Sequence, residues 1–238
     1  MLSWSSDDMF IPRFRQNKPG MQPGDWLSPE DQIEAEEVWK FAAETCTEAA
    51  FQLAKLNVHK QWANRMLEWF GYINVQVTST EWNNFFALRT ELNEDGMPVP
   101  QDEIYHLAVE MKRLRDESIP QILEPGEWHL PWVTDEEKLG FNHDEQIALS
   151  IARSASVSYK TVDGKIMTPD RALELNKKLL SKHPIHASPA EHQATPDQHI
   201  WCTANDRYEG WANPHLHGNF DGWIQYRKTL DGENLEYR

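Results

Sequence analysis

The chain has 238 residues, 39% of them hydrophobic and 11 of them Trp, which suits one large domain or two small ones and is not a disordered composition. A formal net charge of −15 argues against DNA or RNA as a partner, because phosphate contacts need a basic surface; a few arginines in a cleft still suffice for one small anion. No apolar run approaches the ~20 residues of a membrane span, the first ten residues lack a secretory pattern, and Cys46 and Cys202 form no framework or metal spacing, so a reducing cytoplasm and no membrane partner are expected.

Residues 1–27, rich in Pro, Gly, Asp and Ser, read as an irregular arm. Ser28-Pro29-Glu30-Asp31 then opens a helix: serine caps, proline fits the first turn, and the acids suit its positive end. Ala35, Val38, Ala42, Cys46, Ala49, Leu53 and Leu56 continue it as one apolar stripe to about Asn57. A second helical stretch over roughly 60–70 carries Asn64 and Arg65, and Gly71 to Thr78 alternates apolar and polar residues as a half-buried strand does. Residues 81–90 return to helix around Trp82, Phe85, Phe86 and Leu88. A helix over 101–118 is expected to bury Ile104, Leu107, Ala108, Met111 and Leu114.

Residues 28–118 thus form a helical and strand region, and 119–142, with their prolines and tryptophans, a connection. Residues 143–238 form a last region within one structural domain overall. That region holds a helix over 143–156 and another opened by Thr168-Pro169-Asp170 and running to about Lys182. From His183 onward the chain reads as mostly loop, dense in His, Trp, Pro and Asn.

The stretch from Thr78 to Arg89 joins the predicted strand to a helix, where polar side chains and free N–H groups meet a ligand readily. Arg89 sits on a helix crowded with aromatics; the plainer account is a capped helix with a surface arginine. Arg65 has Glu68 three residues on, so it also reads as half of a helix-surface pair worth ~0.2–0.5 kcal/mol. The loop His186-Ala187-Ser188-Pro189-Ala190-Glu191-His192 concentrates hydrogen-bonding groups, or is simply a polar loop. Of His186, His192, His199, Cys202, His215 and His217 only the His215/His217 pair approaches a zinc spacing, so no metal is assigned and a metal-dependent hydrolase on this tail is the weakest alternative. No Gly-rich phosphate loop or nucleophile elbow is present, which leaves the hard chemistry of any enzyme to a cofactor.

Five blocks together resemble the flavin-dependent thymidylate synthases, in the form found in phages and some bacteria. They are Lys60-Gln61-Trp62-Ala63-Asn64-Arg65-Met66-Leu67-Glu68, the segment from Thr78 to Arg89, Ala152-Arg153-Ser154-Ala155-Ser156-Val157-Ser158-Tyr159, Ser188-Pro189-Ala190-Glu191-His192, and Gly218-Asn219-Phe220-Asp221-Gly222-Trp223-Ile224-Gln225-Tyr226-Arg227-Lys228. The Ser-Pro-Glu-His block follows the substrate arginines here, as in the phage-type order. The family's signature, a His-Arg pair followed by Ser, Asn, Ser and Arg, is expected just ahead of Asn17, and Phe14-Arg15-Gln16 does not match it. A separate amino-terminal segment is expected to supply it.

The resemblance implies an α+β fold, with a helix-rich half and a mixed sheet that receives the flavin. It implies conversion of dUMP to dTMP by methylenetetrahydrofolate, FAD and NADPH in a homotetramer whose sites form where subunits meet, in the host cytoplasm if the gene is a phage's. On the matching positions Arg65 binds the nucleotide toward its phosphate, and Arg89 stabilises charge at the uracil edge. Thr78, Glu81, Asn84, Ser158, His186 and Ser188 are flavin-side, Glu191 braces its loop, and Gln225 and Arg227 are phosphate or flavin contacts. The alternative is a non-catalytic remnant that binds nucleotide or flavin.

Overall fold

Ser28 does cap the first helix: its hydroxyl accepts the Asp31 N–H at 3.1 Å, Pro29 takes the first turn, and α1 runs over Pro29–Lys55. The computed structural model describes residues 9–20, 23–157, 167–181, 184–204 and 206–234. They belong to two compact units, Met1–Ile73 with Phe85–Asp116, and Asn74–Asn84 with Glu117–Arg238. The architecture is α+β, with helices predominating and the strands confined to small antiparallel pairs.

The first unit is helical. After α1 come α2 (Lys60–Ala63), continued as a 3-10 helix over Asn64–Phe70, then α3 (Asn83–Arg89, which begins in the second unit) and α4 (Asp102–Glu117). The face that α1 buries differs from the expected stripe. Ala43 and Ala50 are buried while Val38 is 63% exposed and Leu56 76%. Trp39 decides this: its indole N–H donates to the Phe10 carbonyl at 2.9 Å and its ring meets Phe70 edge-on at 5.2 Å, with Phe70 and Leu67 buried. The small residues one turn and three turns on let the 3-10 helix approach closely, which leaves Ala35, Ala42, Cys46, Ala49 and Leu53 of the stripe half-buried and only Val38 and Leu56 outward. In α4 likewise Ala108 is fully buried, whereas Leu107 and Leu114 are about half exposed.

Residues 71–78 are the clearest correction. They lie in no strand, and Tyr72, Ile73, Val75 and Val77 are all exposed. Alternation meets only half of a strand's requirement; the other half is a neighbouring backbone, and none pairs with this segment among the described residues.

The second unit is centred on α6 (His143–Ser154), opened by an Asn142–Glu145 capping box and buried from Ile147 to Ser154. Ile147 and Ile151 pack with Ala190, Trp128, Leu179 and Tyr226 on one side. Leu149 and Ala152 pack with Ala172 of α7 (Pro169–Leu180), Val133 and Phe141 on the other. Arg153, 6% exposed, binds the Glu137 carboxylate of α5 (Asp135–Gly140) with two contacts of 2.7 Å and donates further to the carbonyls of Trp132 and Met167. These bonds hold the Glu137 carboxyl at about 2, below its ordinary 4.5.

The tail carries short paired strands within its loops, which the sequence did not signal. It forms β1 (Ala194–Pro196) antiparallel to β4 (Trp223–Gln225), and β2 (His199–Cys202) antiparallel to β3 (Arg207–Trp211). The described residues thus hold two antiparallel pairs in place of the expected mixed sheet.

Candidate functional site

Three distant segments of the second unit meet at the short 3-10 helix Ser188–Glu191. Its Pro189 and Ala190 are buried, Ala190 against Ile147 and Ile151 of α6, which fixes the helix on the core. Its far end carries Glu191 and His192. The Glu191 carboxylate accepts from Arg227 Nη1 at 3.0 Å, and the Glu191 carbonyl accepts from Gln225 Nε2 at 3.0 Å. His192 Nδ1 lies 3.1 Å from Thr78 Oγ1, and the Thr80 hydroxyl accepts the Asp221 N–H at 2.9 Å. Burial keeps the His192 imidazole below its ordinary value against the opposing pull of Glu191, so at neutral pH it is uncharged and one ring nitrogen accepts.

Gln225 is 3% exposed, and its amide also donates to Asn219 Oδ1 at 2.8 Å. Gly218 permits this: its φ is +63°, and a side chain there would collide with the Gln225 amide. Gln225 is therefore a packed brace of the loop. Arg227 is partly exposed and lies between two carboxylates, since its Nε donates to Glu233 at 3.0 Å while Nη1 holds Glu191.

The remaining predicted residues spread further. Thr78 joins the cluster, while Glu81 is exposed and its N–H is bound by Ser79 Oγ at 3.1 Å. Asn84, His186 and Ser188 are exposed and form no side-chain hydrogen bond among the described residues. Ser158 lies outside the described residues. Arg65 and Arg89 belong to the first unit. Arg65 sits 3.6 Å from Glu68 with both side chains more than half exposed, the weak surface pair that the spacing suggested. Arg89 ends α3, exposed and without an ion-pair or hydrogen-bond partner among the described residues.

Sequence reasoning missed a second polar cluster beside the loop. The Asp197 carboxylate is fully buried and accepts from the Asn213 N–H at 2.7 Å, Asn213 Nδ2 at 2.9 Å, the Gln198 N–H at 2.8 Å and His217 Nε2 at 2.9 Å. Burial works to raise its carboxyl, and the donors from Asn213, His217 and the backbone overrule it and hold it at about 2. An ionised carboxylate only accepts, which assigns the proton on His217 Nε2. Gln193, fully buried, donates to Ser150 Oγ at 2.9 Å, and its own Oε1 has no partner among the described residues. An isolated Asp and Gln in a loop carry no periodicity, so no local signal marks them.

Among the described residues no three His, Cys, Asp or Glu side chains gather as metal ligands, and no helix is long and apolar enough to cross a membrane. A groove of about 400 Å³ runs along α1, lined by Phe14, Val38 and Trp39 among others, and borders none of the predicted site residues. Set against known proteins, the chain matches no family model, no curated protein and no solved structure.

Proposed function

We propose that the chain is a flavin-dependent thymidylate synthase subunit that methylates dUMP to dTMP, with methylenetetrahydrofolate as the one-carbon donor and FAD and NADPH as redox partners. One observation supports this reading above the others. Three of the resembling blocks, those containing Thr78, Glu191 and Arg227, stand far apart in sequence and are tied together by Thr78–His192, Thr80–Asp221 and Glu191–Arg227. Their meeting in one cluster is what a shared ligand site requires.

The groups assembled suit a flavin ring, whose edge offers carbonyl acceptors and an N–H donor. Thr78 and His192 are at hand, and the side chains of Asn84, His186 and Ser188 have hydrogen-bonding capacity unused among the described residues. Reduced flavin supplies the one-carbon transfer and the hydride. The protein's share is placement and charge stabilisation. Glu191, locked to Arg227 and Gln225, fixes the loop that bears Ser188. Arg89, which has no competing carboxylate among the described residues, stabilises negative charge developing on the pyrimidine. Arg65, whose contact with Glu68 is weak, turns to the nucleotide.

The test is tritium release from [5-³H]dUMP with FAD, NADPH and methylenetetrahydrofolate, run on the chain alone and with a peptide bearing the family's His-Arg signature. Release is expected under at least one condition. Arg89→Ala should reduce it by about a hundredfold or more without lowering the melting temperature. A folded chain that releases no tritium under either condition sinks the synthase reading, and titration with FAD and dUMP then decides whether it is a non-catalytic binder.

A further inference from the structure

Arg227 and Lys228 stand side by side on the 3-10 helix Tyr226–Thr229 that follows β4. Their base is firm. Gln225 is buried and doubly hydrogen-bonded, the Tyr226 N–H donates to the Gln193 carbonyl at 2.9 Å, and the Tyr226 ring packs on Ile147, Ile151 and Ala190. Both cations converge on one carboxylate. Glu233 Oε2 accepts from Arg227 Nε at 3.0 Å, and Oε1 accepts from Lys228 Nζ at 2.7 Å.

The acid's side chain is the more buried, 8% exposed, but its backbone is lightly tied. Glu233 lies beyond Leu230, and its own N–H reaches the Leu230 carbonyl only at 3.4 Å. The cations also keep donors in reserve. Among the described residues Arg227 Nη2 donates to nothing, and Lys228 Nζ uses one of its three protons. Their side chains remain 31% and 26% exposed, within reach of solvent.

We propose that Arg227 and Lys228 form a binding site for a phosphate group, and that Glu233 fills this site in the ligand-free chain as an internal anion that the phosphate displaces. A carboxylate spanned by a guanidinium and an ammonium has the geometry of an anion site. A phosphate monoester brings three acceptor oxygens and more charge, so it engages the donors that Glu233 leaves idle. Glu191 stays on Nη1 and keeps the guanidinium in place. At present two cations face two carboxylates; departure of Glu233 leaves one net positive charge, a local attraction within a chain of net charge −15.

The nucleotide as the source of the phosphate rests on the synthase reading; the site itself does not. Calorimetric titrations of the full chain at low ionic strength with inorganic phosphate, dUMP and deoxyuridine separate the two. Glu233→Gln should raise affinity for inorganic phosphate and for dUMP about tenfold, the size of one charge-assisted hydrogen bond, and leave deoxyuridine unchanged. A gain for inorganic phosphate alone marks a site for free phosphate. Lys228→Gln in the otherwise native chain should weaken phosphate binding by a similar factor, which keeps the test open if the Glu233 variant folds poorly. Unchanged or weaker phosphate binding in Glu233→Gln, or unchanged binding in Lys228→Gln, overturns the proposal. Tritium release combined with either of those results would remove this site and leave the synthase; the phosphate gain without tritium release would do the reverse.

Discussion

In the first unit the buried residues are all apolar: Ala43, Ala50, Ala63 and Ala108, with Leu67, Phe70 and Phe86. The second unit buries Ser150, Arg153, Gln193, Asp197, His217 and Gln225 together with its aliphatic side chains. The difference has consequences for what each can specify. Apolar packing asks for volume and tolerates exchange, whereas a buried polar group demands a partner at a set distance and angle. The second unit therefore holds its loops in defined positions, as the four bonds to Asp197 show. Both units display large apolar side chains on their surfaces, such as Ile33, Val38, Phe41 and Trp69 in the first and Ile119, Ile122 and Leu139 in the second. The predicted site arginines of the first unit are lightly held.

The sharpest way to break this comparison is Arg153→Met. It leaves Glu137 without its buried partner and should cost the second unit about 3–5 kcal/mol, read by urea unfolding. A near-native midpoint would mean that apolar packing around α6 suffices and that the polar core is incidental.

Acid should act on the same unit. Glu137 falls from 4.5 and Asp197 from 3.8, each to about 2, so both are depressed in the folded chain. A depressed carboxyl contributes stability that is fully present above its unfolded value. That contribution is therefore intact above about pH 4.5 and drains away as the pH falls toward 2. Thermal melts across that window should show the decline, and Glu137→Gln should flatten it. An equally steep decline in that variant would place the acid sensitivity elsewhere.

The smallest effects belong to α1, where the buried line can be told from the expected stripe. Ala43→Leu overfills a position on α1 that is 2% exposed and should cost about 1–3 kcal/mol. Val38→Ser, on the exposed side, should change stability by no more than about 0.5 kcal/mol. The opposite order in thermal melts would restore the stripe read from periodicity.

Helix starts were readable because a cap is decided within one turn. Ser28 and Pro29 begin α1, and Pro169 begins α7, where the sequence places them. Thr168 at that second start forms no side-chain cap bond, which shows that the signal locates the end without securing its chemistry. The candidate site was readable in part: Thr78, Glu191, Gln225 and Arg227 do meet. Glu233 and Lys228, which complete the surroundings of Arg227, were not, since a pairing across a turn leaves no periodic trace.

The amino-acid sequence by itself determined the longer helices, though not α5 within the expected connection, together with the acidic character and the residue types available for chemistry, because those depend on neighbours within a few positions or on composition alone. Only the tertiary structure decided which face of α1 is buried, that residues 71–78 have no strand partner among the described residues, that the tail pairs as β1–β4 and β2–β3, and that Asp197 gathers four donors. Each of these depends on a partner distant in the chain. Alternation and amphipathicity state what a segment is able to bury; what it does bury is set by the backbone or side chain that arrives from elsewhere.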